Sequence, residues 1–311
     1  MDEKRPSKSA LIIAYALLYI IWGSTYLAMR FSVQSMPPVL TAALRFLTAG
    51  LILLVICAFR GVKKPAADGW RRAAAASVLP FIGCYVLLTY AEVRVPSSIA
   101  ALITAFEPLL YCIFGWLFFH GPKPLPRQYA AIAVGVVGAY FIIAGEQDSS
   151  GGFQASQLFW LFMVLCSSFC WVLGAFFSRD SKIHEDAFMS SGMILTVSGL
   201  MLFAIQFAIS VCTGCWPHLA DFSQRSLLSV LYLAVFGSVV AYSAFLWLMR
   251  VEPASRVSTY AFVNPVIAVF LGWLLAGEQI RRNMLIATPL VVVSVILMIW
   301  KPRQEKTKKE P

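Results

Sequence analysis

The chain has 311 residues, of which 59% are hydrophobic and only 13% are charged. A soluble domain contains about 45–50% apolar and about 25% charged residues, so this chain lacks the polar surface needed to cover a globule in water. The composition excludes a disordered protein, a fibrous repeat and an ordinary cytosolic enzyme, and indicates an integral membrane protein. The net charge of +10 is spread between hydrophobic runs, which argues against a nucleic-acid-binding protein.

Ten stretches of the chain are long enough to cross a bilayer, since a spanning helix needs about 20 mostly apolar residues. Short polar or Pro/Gly-bearing breaks separate the stretches, and none of the breaks is large enough for a soluble domain. A transmembrane barrel would show strands of about ten alternating residues, whereas these runs are continuous. The sequence therefore predicts an all-α integral membrane protein with ten transmembrane helices. The predicted spans lie near residues 9–29, 38–59, 70–91, 96–119, 127–144, 156–177, 187–211, 226–249, 254–276 and 283–300.

The first span has the basic flank of a signal peptide, because Lys4, Arg5 and Lys8 precede it. Its apolar core is longer than the usual span of about 7–15 residues, and no small-residue cleavage site follows it. We therefore expect a retained first helix.

The distribution of basic residues predicts the orientation of the chain, because Lys and Arg are enriched in cytoplasmic loops. With the N-terminus in the cytoplasm, the inside segments hold 19 Lys and Arg residues and the outside segments hold 5; Arg45 alone lies within a span. This split predicts that both termini are cytoplasmic. Residues 1–8 then form a short cytoplasmic segment, and residues 301–311 form a basic cytoplasmic tail near anionic lipid.

The two halves of the chain are related by an internal repeat. A shift of 157 residues gives seven identities over the 33 positions from 85 to 117. Five helices cross the membrane an odd number of times, so a second copy must enter it upside down. We predict two inverted five-helix repeats, residues 9–144 and 156–300, an arrangement typical of secondary transporters with a midplane substrate site. A duplicated scaffold without a transport role is the alternative. The identities pair Tyr85, Pro96, Ser98, Pro108, Gly115, Trp116 and Leu117 with Tyr242, Pro253, Ser255, Pro265, Gly272, Trp273 and Leu274.

Arg45 is the one basic residue that the sequence places inside a span. An intramembrane charge costs at least about 2.5–3.5 kcal/mol on insertion scales, so it normally faces the bundle interior or a cavity. Arg45 is a candidate anion or carboxylate clamp, because guanidinium forms bidentate pairs; the alternative is a packing or snorkelling arginine. Arg45 and Trp22 both lie about seven residues from the outer ends of their spans, a depth of about 10 Å. We expect both to line the outer part of a cavity.

Glu107 is the one acidic residue near the centre of a predicted span. Its carboxyl could bind a cationic substrate or carry a proton, which makes Glu107 the candidate for proton coupling. The alternative is a neutral side chain that bonds to backbone loosened by Pro108. The repeat places the uncharged Asn264 at the matching depth in the second half.

Aromatic side chains recur at the ends and in the interior of the spans. Those near the interfaces are ordinary anchors, whereas those one or two turns deeper could line a cavity or hold a cation over a ring; core packing is the alternative for each. The set comprises Trp22, Tyr26, Tyr85, Tyr90, Trp171, Tyr242, Trp247 and Tyr260.

Of the seven cysteines, five lie within spans as apolar fillers. Cys212 and Cys215 form a C-x-x-C pair in an outer loop, with His218 and Asp221 following at equal steps. A disulfide or a metal site there is an alternative, but the spacing is weakly diagnostic. We predict no metal and no cofactor. Nucleotide-binding, zinc-protease and serine-hydrolase motifs are absent from the sequence.

Short motifs spread over both halves form one recognisable pattern: Ile21-Trp22-Gly23-Ser24-Thr25-Tyr26, Arg45-Phe46, Pro96, Pro108, Pro253-Ala254, Asn264-Pro265, Gly272 and Gly277-Glu278. Over about residues 9–300 the chain thereby resembles the EamA-type branch of the drug/metabolite transporter superfamily. The resemblance implies ten helices in two inverted halves, a location in the inner membrane, and export of metabolites, amino acids or drugs through a central cavity. One departure from the family pattern is that the first half closes its fourth helix with Phe119-His120-Gly121-Pro122 where a Gly-Glu-like end is expected.

The sequence thus favours a secondary transporter that exports small organic metabolites or drugs by alternating access, as a monomer or homodimer within the lipid bilayer. The alternatives are a membrane-embedded enzyme, which would need a catalytic constellation, and a channel or structural membrane subunit, of which a channel would favour a continuous polar stripe. The expected partners are a small-molecule substrate, lipid and protons. The candidate substrate-binding residues are Trp22, Thr25, Tyr26, Arg45, Tyr85, Tyr90, Glu107, Trp171, Tyr242, Tyr260 and Asn264.

Overall fold

The computed structural model describes residues 7–92, 104, 107–144, 157–276 and 282–299. These residues form ten helical spans, and no strand occurs among them. The spans are α1 (Lys8–Ser32), α2 (Pro38–Phe59), α3 (Ala67–Ser77, Val78–Gly83 and Cys84–Glu92), α4 (Glu107–Phe118), α5 (Pro126–Ala144), α6 (Gln157–Asp180), α7 (Ala187–Thr213), α8 (Gln224–Tyr232, Leu233–Val240 and Ala241–Val251), α9 (Ala254–Val257 and Tyr260–Ala276) and α10 (Arg282–Ile299).

Six of the described helical stretches are long and apolar enough to cross a membrane, and three shorter apolar helices accompany them. Large apolar side chains point outward from the bundle, such as Ile12, Phe59 and Leu285, whose exposed fractions are 68%, 89% and 72%. In a membrane this surface contacts lipid, and the helices satisfy their own backbone hydrogen bonds. The prediction of an all-α integral membrane protein with ten helices is confirmed.

Helix boundaries follow from local capping. Asp186 caps α7 by accepting a hydrogen bond from the backbone nitrogen of Met189 at 2.9 Å, and Ser223 caps α8 by accepting from Ser226 at 3.1 Å. Pro38 opens α2, where its missing N–H is not needed. Helix α2 accordingly begins and ends at the predicted residues, 38 and 59.

Helix α1 departs from its prediction, because it ends at Ser32 and not near residue 29. Trp22 is therefore ten residues from that end, about 15 Å along α1, while Arg45 lies seven residues after the start of α2, about 10 Å along it. Both side chains nevertheless reach Gly237 of α8, and their place in the outer part of a cavity stays a prediction. Near the end of α1 the Ser32 hydroxyl donates to the Met29 carbonyl at 2.8 Å.

The inverted repeat is visible in the contact between α2 and α7, which correspond to each other in the two halves. A Cβ added to Gly50 would lie 2.4 Å from the backbone nitrogen of Thr196, and a Cβ added to Gly199 would lie 2.5 Å from that of Leu47. Gly50 matches Gly199 and Leu47 matches Thr196 at one shift of 149 residues. The contact is thus reciprocal, as in a two-fold interface. Small residues let the two backbones approach closely.

The same symmetry relates the remaining contacts. Helix α1 packs on α8 and α9, as α6 packs on α3 and α4, and α5 packs on α10. The first five helices are therefore interlocked with the second five, and the centre of the molecule lies between the halves.

Helices α3 and α8 each contain a π-helical segment, Val78–Gly83 and Leu233–Val240. With the shift of 157 residues, the first segment falls within the second. A π-helical turn widens the backbone locally and is frequent at functional sites. Both segments face the centre of the molecule, where Pro80 and Gly237 occupy matching positions.

Candidate functional site

Two tryptophans from the two halves meet at the centre of the molecule. Trp22 and Trp171 are each the fifteenth residue of their described helices, α1 and α6. Their rings pack edge to face with centroids 5.8 Å apart. The Trp22 indole N–H donates to the carbonyl of Gly237 in the π-helical segment of α8, at 3.0 Å. The Trp171 indole N–H donates to the hydroxyl of Tyr260 in α9, at 2.6 Å.

Each tryptophan helix closes on the π-helical segment of its neighbour through one glycine. A Cβ added to Gly174 of α6 would lie 2.4 Å from the Cδ of Pro80 in α3. At the matching place, a Cβ added to Gly237 of α8 would lie 3.1 Å from the Cγ2 of Thr25 in α1. The Thr25 hydroxyl donates to the Trp22 carbonyl at 2.7 Å, so Thr25 presents its methyl group to Gly237.

An aromatic wall continues from the tryptophan pair. Tyr260 meets Trp22 edge to face at 4.9 Å, and Tyr242 meets Phe81 edge to face at 5.3 Å. Tyr85 packs edge to face on Phe46 at 4.9 Å. Such pairs add about 0.5–1.5 kcal/mol each beyond the burial of their area, which makes the wall rigid. The wall comprises Trp22, Phe46, Phe81, Tyr85, Trp171, Tyr242, Phe245 and Tyr260.

Arg45 lies beside this wall and is buried, with 5% of its surface exposed. Its Nε–H donates to the hydroxyl of Ser238 in the other half, at 2.8 Å. Its guanidinium carbon lies 5.2 Å from the centroid of the Phe46 ring, within cation–π range. Among the described side chains no carboxylate forms an ion pair with Arg45. Arg45 therefore places its own positive charge at the boundary between the halves.

Glu107 is also buried and is linked to Trp171 through Tyr260. Its Oε2 atom accepts a hydrogen bond from the Tyr260 hydroxyl at 3.1 Å. That hydroxyl in turn accepts from Trp171, and the Tyr111 hydroxyl lies 3.5 Å from it. The carboxyl of the first half is thus bonded to a side chain of the second half.

Asn264, the repeat partner of Glu107, makes different contacts. Its side-chain amide is oriented with the nitrogen toward two backbone carbonyls, and it donates to those of Tyr19 and Tyr260 at 3.3 and 3.2 Å. It therefore joins α9 to α1, where a Cβ on Gly23 would lie 3.3 Å from the Asn264 carbonyl. The two members of the repeat pair thus serve different contacts.

The structure brings together eight of the eleven candidate residues. Seven of them contribute rings, charges or a methyl group to the centre, and Tyr85 lies at the edge of the wall, on Phe46. The seven are Trp22, Thr25, Arg45, Glu107, Trp171, Tyr242 and Tyr260. Asn264 lies in the contact between helices. The side chains of Tyr26 and Tyr90 lie outside the described part of the structure.

Sequence reasoning missed four contributors to this centre: Phe46, Phe81, Phe245 and Ser238. Phenylalanines within apolar spans carry no periodic signal that separates cavity-facing from lipid-facing rings. Ser238 had a signal, because it follows Gly237 in an otherwise apolar stretch of α8. A small polar pair in such a stretch indicates a close helix contact or a hydrogen bond across helices.

Cys212 and Cys215 are both exposed thiols and are not bonded to each other. Cys212 lies at the end of α7, and Gly214, with φ of 70°, separates it from Cys215. Within the described ranges no three His, Cys, Asp or Glu side chains lie close enough to hold a metal ion.

A family model covers nearly all of the chain in two copies. The EamA-like transporter family matches residues 9–144 and again residues 158–300. The chain belongs to this family. The two matches coincide with the two interlocked sets of five helices, so each copy of the family unit contributes one tryptophan to the centre.

Relatives of this EamA-like transporter occur in several bacteria. One is the Escherichia coli protein described as an uncharacterized inner membrane transporter, YedA, which is 34% identical over 283 residues, covering 90% of this chain and 88% of that protein. Protein PecM of Dickeya dadantii is 28% identical over 295 residues, covering 92% and 93%. The uncharacterized transporter YvbV of Bacillus subtilis is 23% identical, covering 98% and 96%. The chain is therefore a membrane transporter related to inner membrane proteins.

A solved structure has the same fold. The chain in a structure described as "Crystal structure of protein" superposes with a TM-score of 0.76 at 18% identity, covering 94% of this chain and 97% of that one. At this identity the likeness shows the fold alone.

Proposed function

We propose that this EamA-like transporter exports small organic metabolites, such as amino acids or related compounds, or drugs, by alternating access. The observation that carries the proposal is the centre itself. Arg45 and Glu107 are both buried. Arg45 lies by Gly237, whose carbonyl binds the Trp22 indole, and Glu107 is joined to Trp171 through Tyr260. A buried ionisable residue within a membrane bundle marks a substrate or proton route by default.

The contacts toward the face where α1 begins support this reading. On that side of the centre the Tyr19 hydroxyl bonds to Thr259, and Arg256 pairs with Glu252 at 2.9 Å. Rings of Phe119 and Phe176 stack between α4 and α6 with centroids 4.4 Å apart. The Tyr19–Thr259 and Phe119–Phe176 contacts join the two halves on this side of the centre, as contacts that close one face of a carrier would.

The internal symmetry supplies the second conformation. Because the contacts of the two halves are reciprocal, exchanging the roles of the halves would open the closed face and close the other. Alternating access in inverted-repeat transporters works in this way.

Protons are the proposed coupling ion, with Glu107 as their carrier. The Tyr260 hydroxyl joins Glu107 to Trp171 and thereby to the tryptophan pair. A proton on Glu107 changes which group donates in this chain of hydrogen bonds. A substrate that contacts the rings of Tyr260 or Trp171 would therefore change the hydrogen bonding of the Glu107 carboxyl. An enzymatic function, the second candidate, would need a nucleophile with a base or a metal site at the centre.

Transport is tested in liposomes that contain the purified protein. Vesicles loaded with unlabelled candidate metabolites should show saturable counterflow of the labelled compound, and lipid extracts should show no new product. A non-saturable flux would indicate a channel, and a changed lipid or substrate would indicate an enzyme.

The orientation is part of the proposal, with both termini in the cytoplasm. Reporter fusions after residue 311 and in the loop near residue 147 should report opposite sides of the membrane. Both reporters on one side would contradict the ten-helix topology.

A further inference from the structure

The Arg45 guanidinium has more donors than the described residues use. Of the Lys and Arg side chains that the structure describes, Arg45 alone is buried. Its Nε–H is bonded to Ser238, while neither terminal nitrogen has a bond to a described residue. A buried guanidinium without an anionic partner is costly in a membrane bundle. An anion would therefore offset the cost of this buried charge, and the terminal N–H groups of Arg45 could donate to it.

Neither terminal nitrogen of Arg45 is among the fully buried polar atoms without a partner in the described structure. Gly237 packs closely on the guanidinium, since a Cβ added to it would lie 3.0 Å from the Nη2 atom, so a larger residue at 237 would press on the terminal nitrogens. The Phe46 ring covers the guanidinium carbon at 5.2 Å, and Tyr85 packs against Phe46. The polar guanidinium of Arg45 thus lies directly against an aromatic surface formed by Phe46 and Tyr85.

We propose that the substrate is an organic carboxylate with an aromatic or apolar body, and that Arg45 binds its carboxylate through the two terminal nitrogens. The proposal rests on the transport function proposed above and deepens it by naming the substrate class. The Nε–H bond to Ser238 orients the fork, so that the two parallel N–H groups match the two carboxylate oxygens. The substrate body then lies against Phe46, Tyr85 and the tryptophan pair.

Charge balance selects a carboxylate over a phosphate monoester. One buried guanidinium is neutralised by one negative charge, whereas a phosphate monoester carries about 1.5 to 2 negative charges at neutral pH. No second cation lies beside Arg45 among the described side chains. Glu107, a buried acidic group of the described centre, would when ionised repel additional negative charge.

The position of the clamp also links binding to the conformational change. Arg45 belongs to the first half, and Ser238 belongs to the second. A carboxylate on Arg45 would lie beside the Gly237–Ser238 backbone of the π-helical segment, where the Trp22 indole is bonded. The substrate would therefore contact the two halves at the place where they must move.

The test uses matched ligands and the full-length protein in detergent and in liposomes. Sets of an acid, its amide and its amine are prepared on phenyl, indolyl, naphthyl and cyclohexyl bodies. Thermal stabilisation and inhibition of counterflow are measured for every compound. On at least one body we expect the acid to bind about tenfold or more tightly than its amide, with the amine weakest.

The same measurements are repeated on Arg45→Gln and Arg45→Lys, with Arg225→Gln as the control, because Arg225 is an exposed arginine at the start of α8. Arg45→Gln should abolish the preference for the acid while leaving the affinity for the amide within about twofold. Arg45→Lys should keep part of it, since it keeps the charge but not the fork. Arg225→Gln should bind as the wild type does.

The wild-type preferences are decisive even if the Arg45 variants do not fold. If the amide or the amine binds as tightly as the acid on all four bodies, the carboxylate proposal is overturned. If the protein then still shows saturable counterflow of neutral or cationic compounds, the transport function stands without it. An acid preference that survives in folded Arg45→Gln would move the clamp away from Arg45 and equally overturn the proposal.

Discussion

Trp22 and Trp171 occupy matching positions in the two halves, yet their indole nitrogens bind different partners, a backbone carbonyl and a tyrosine hydroxyl. Their rings touch at 5.8 Å, so the molecule is symmetric in packing and asymmetric in hydrogen bonding at its centre. A symmetric frame allows the halves to exchange roles. The hydrogen bonds of Tyr260 link the ionisable Glu107 to Trp171, whereas the indole nitrogen of Trp22 is bonded to Gly237.

This asymmetry predicts different phenotypes for two equivalent substitutions. Trp171→Phe removes the donor to Tyr260, which is the residue bound to Glu107, so we expect the pH dependence of transport to shift. Trp22→Phe removes the donor to the Gly237 carbonyl and leaves Glu107 and Tyr260 bonded. It should lower the rate without moving the pH profile. Transport rates measured from about pH 5 to 9 check both variants, and identical pH profiles would contradict the prediction.

The glycines of the two close contacts predict a separation of stability from activity. Gly174→Ala forces a methyl group into the rigid ring of Pro80 and should lower stability by about 1–3 kcal/mol, the usual cost of overpacking. Gly237→Ala meets only the ends of the Arg45 and Thr25 side chains, which can move. It should cost less stability but lower the affinity for substrate, since it displaces the guanidinium. Thermal unfolding in detergent and substrate counterflow are measured on both variants. A lower stability of Gly237→Ala than of Gly174→Ala would refute the predicted separation of stability from activity.

Glu107→Gln tests the proposed coupling, because glutamine keeps the shape and a hydrogen-bonding head but cannot titrate. We expect this variant to exchange substrate across the membrane but to lose accumulation driven by a pH gradient. Tyr260→Phe serves as the companion, since it removes the hydroxyl bound to Glu107 and should weaken the response to pH without abolishing it. Normal accumulation by Glu107→Gln under an imposed gradient would show that Glu107 is not the proton carrier.

The end of α4 explains the departure of the first half from the expected Gly-Glu ending. His120 has a φ of 52°, in the left-handed region that favours glycine, and the Gly121 N–H donates to the Gly115 carbonyl at 2.7 Å, which satisfies a carbonyl in the last turn of the helix. His120 stands where the second half has Gly277. His120→Gly should therefore raise stability by about 1 kcal/mol, since glycine adopts this conformation without strain. The melting temperature checks it, with the exposed His218→Gly as the control; an unchanged or lower value for His120→Gly would argue against the strain.

Much of the fold follows from hydropathy and turn residues, because a spanning helix has to be apolar and must end at polar or Pro/Gly-bearing segments. Pro38 and Gly61 illustrate this at the two ends of α2. The π-helical segments were not predictable: Pro80 and Gly237 indicate a backbone irregularity, but an extra residue per turn leaves no hydropathy signal.

The centre was predictable only where chemistry makes a residue unusual in a membrane. Arg45 and Glu107 stand out as charges, and the structure places both beside the aromatic wall. Phe81 and Phe245 do not stand out, since a ring in an apolar span is equally suited to lipid. Asn264 was expected at the site from its repeat partner alone, and its contacts instead join α9 to α1.

The most direct test of alternating access is the accessibility of Thr25, which lies beside Gly237 between the halves. In a background without native cysteines, Thr25→Cys is treated with a membrane-impermeant thiol reagent from either side of sealed vesicles. Leu17→Cys faces lipid and should resist reagent from both sides, and Asp221→Cys, in a loop, should react from one side only. The account predicts that Thr25→Cys reacts from both sides and that a bound substrate slows both reactions. Reaction from one side only, unaffected by any transported compound, would contradict a site at the centre that opens alternately to the two faces.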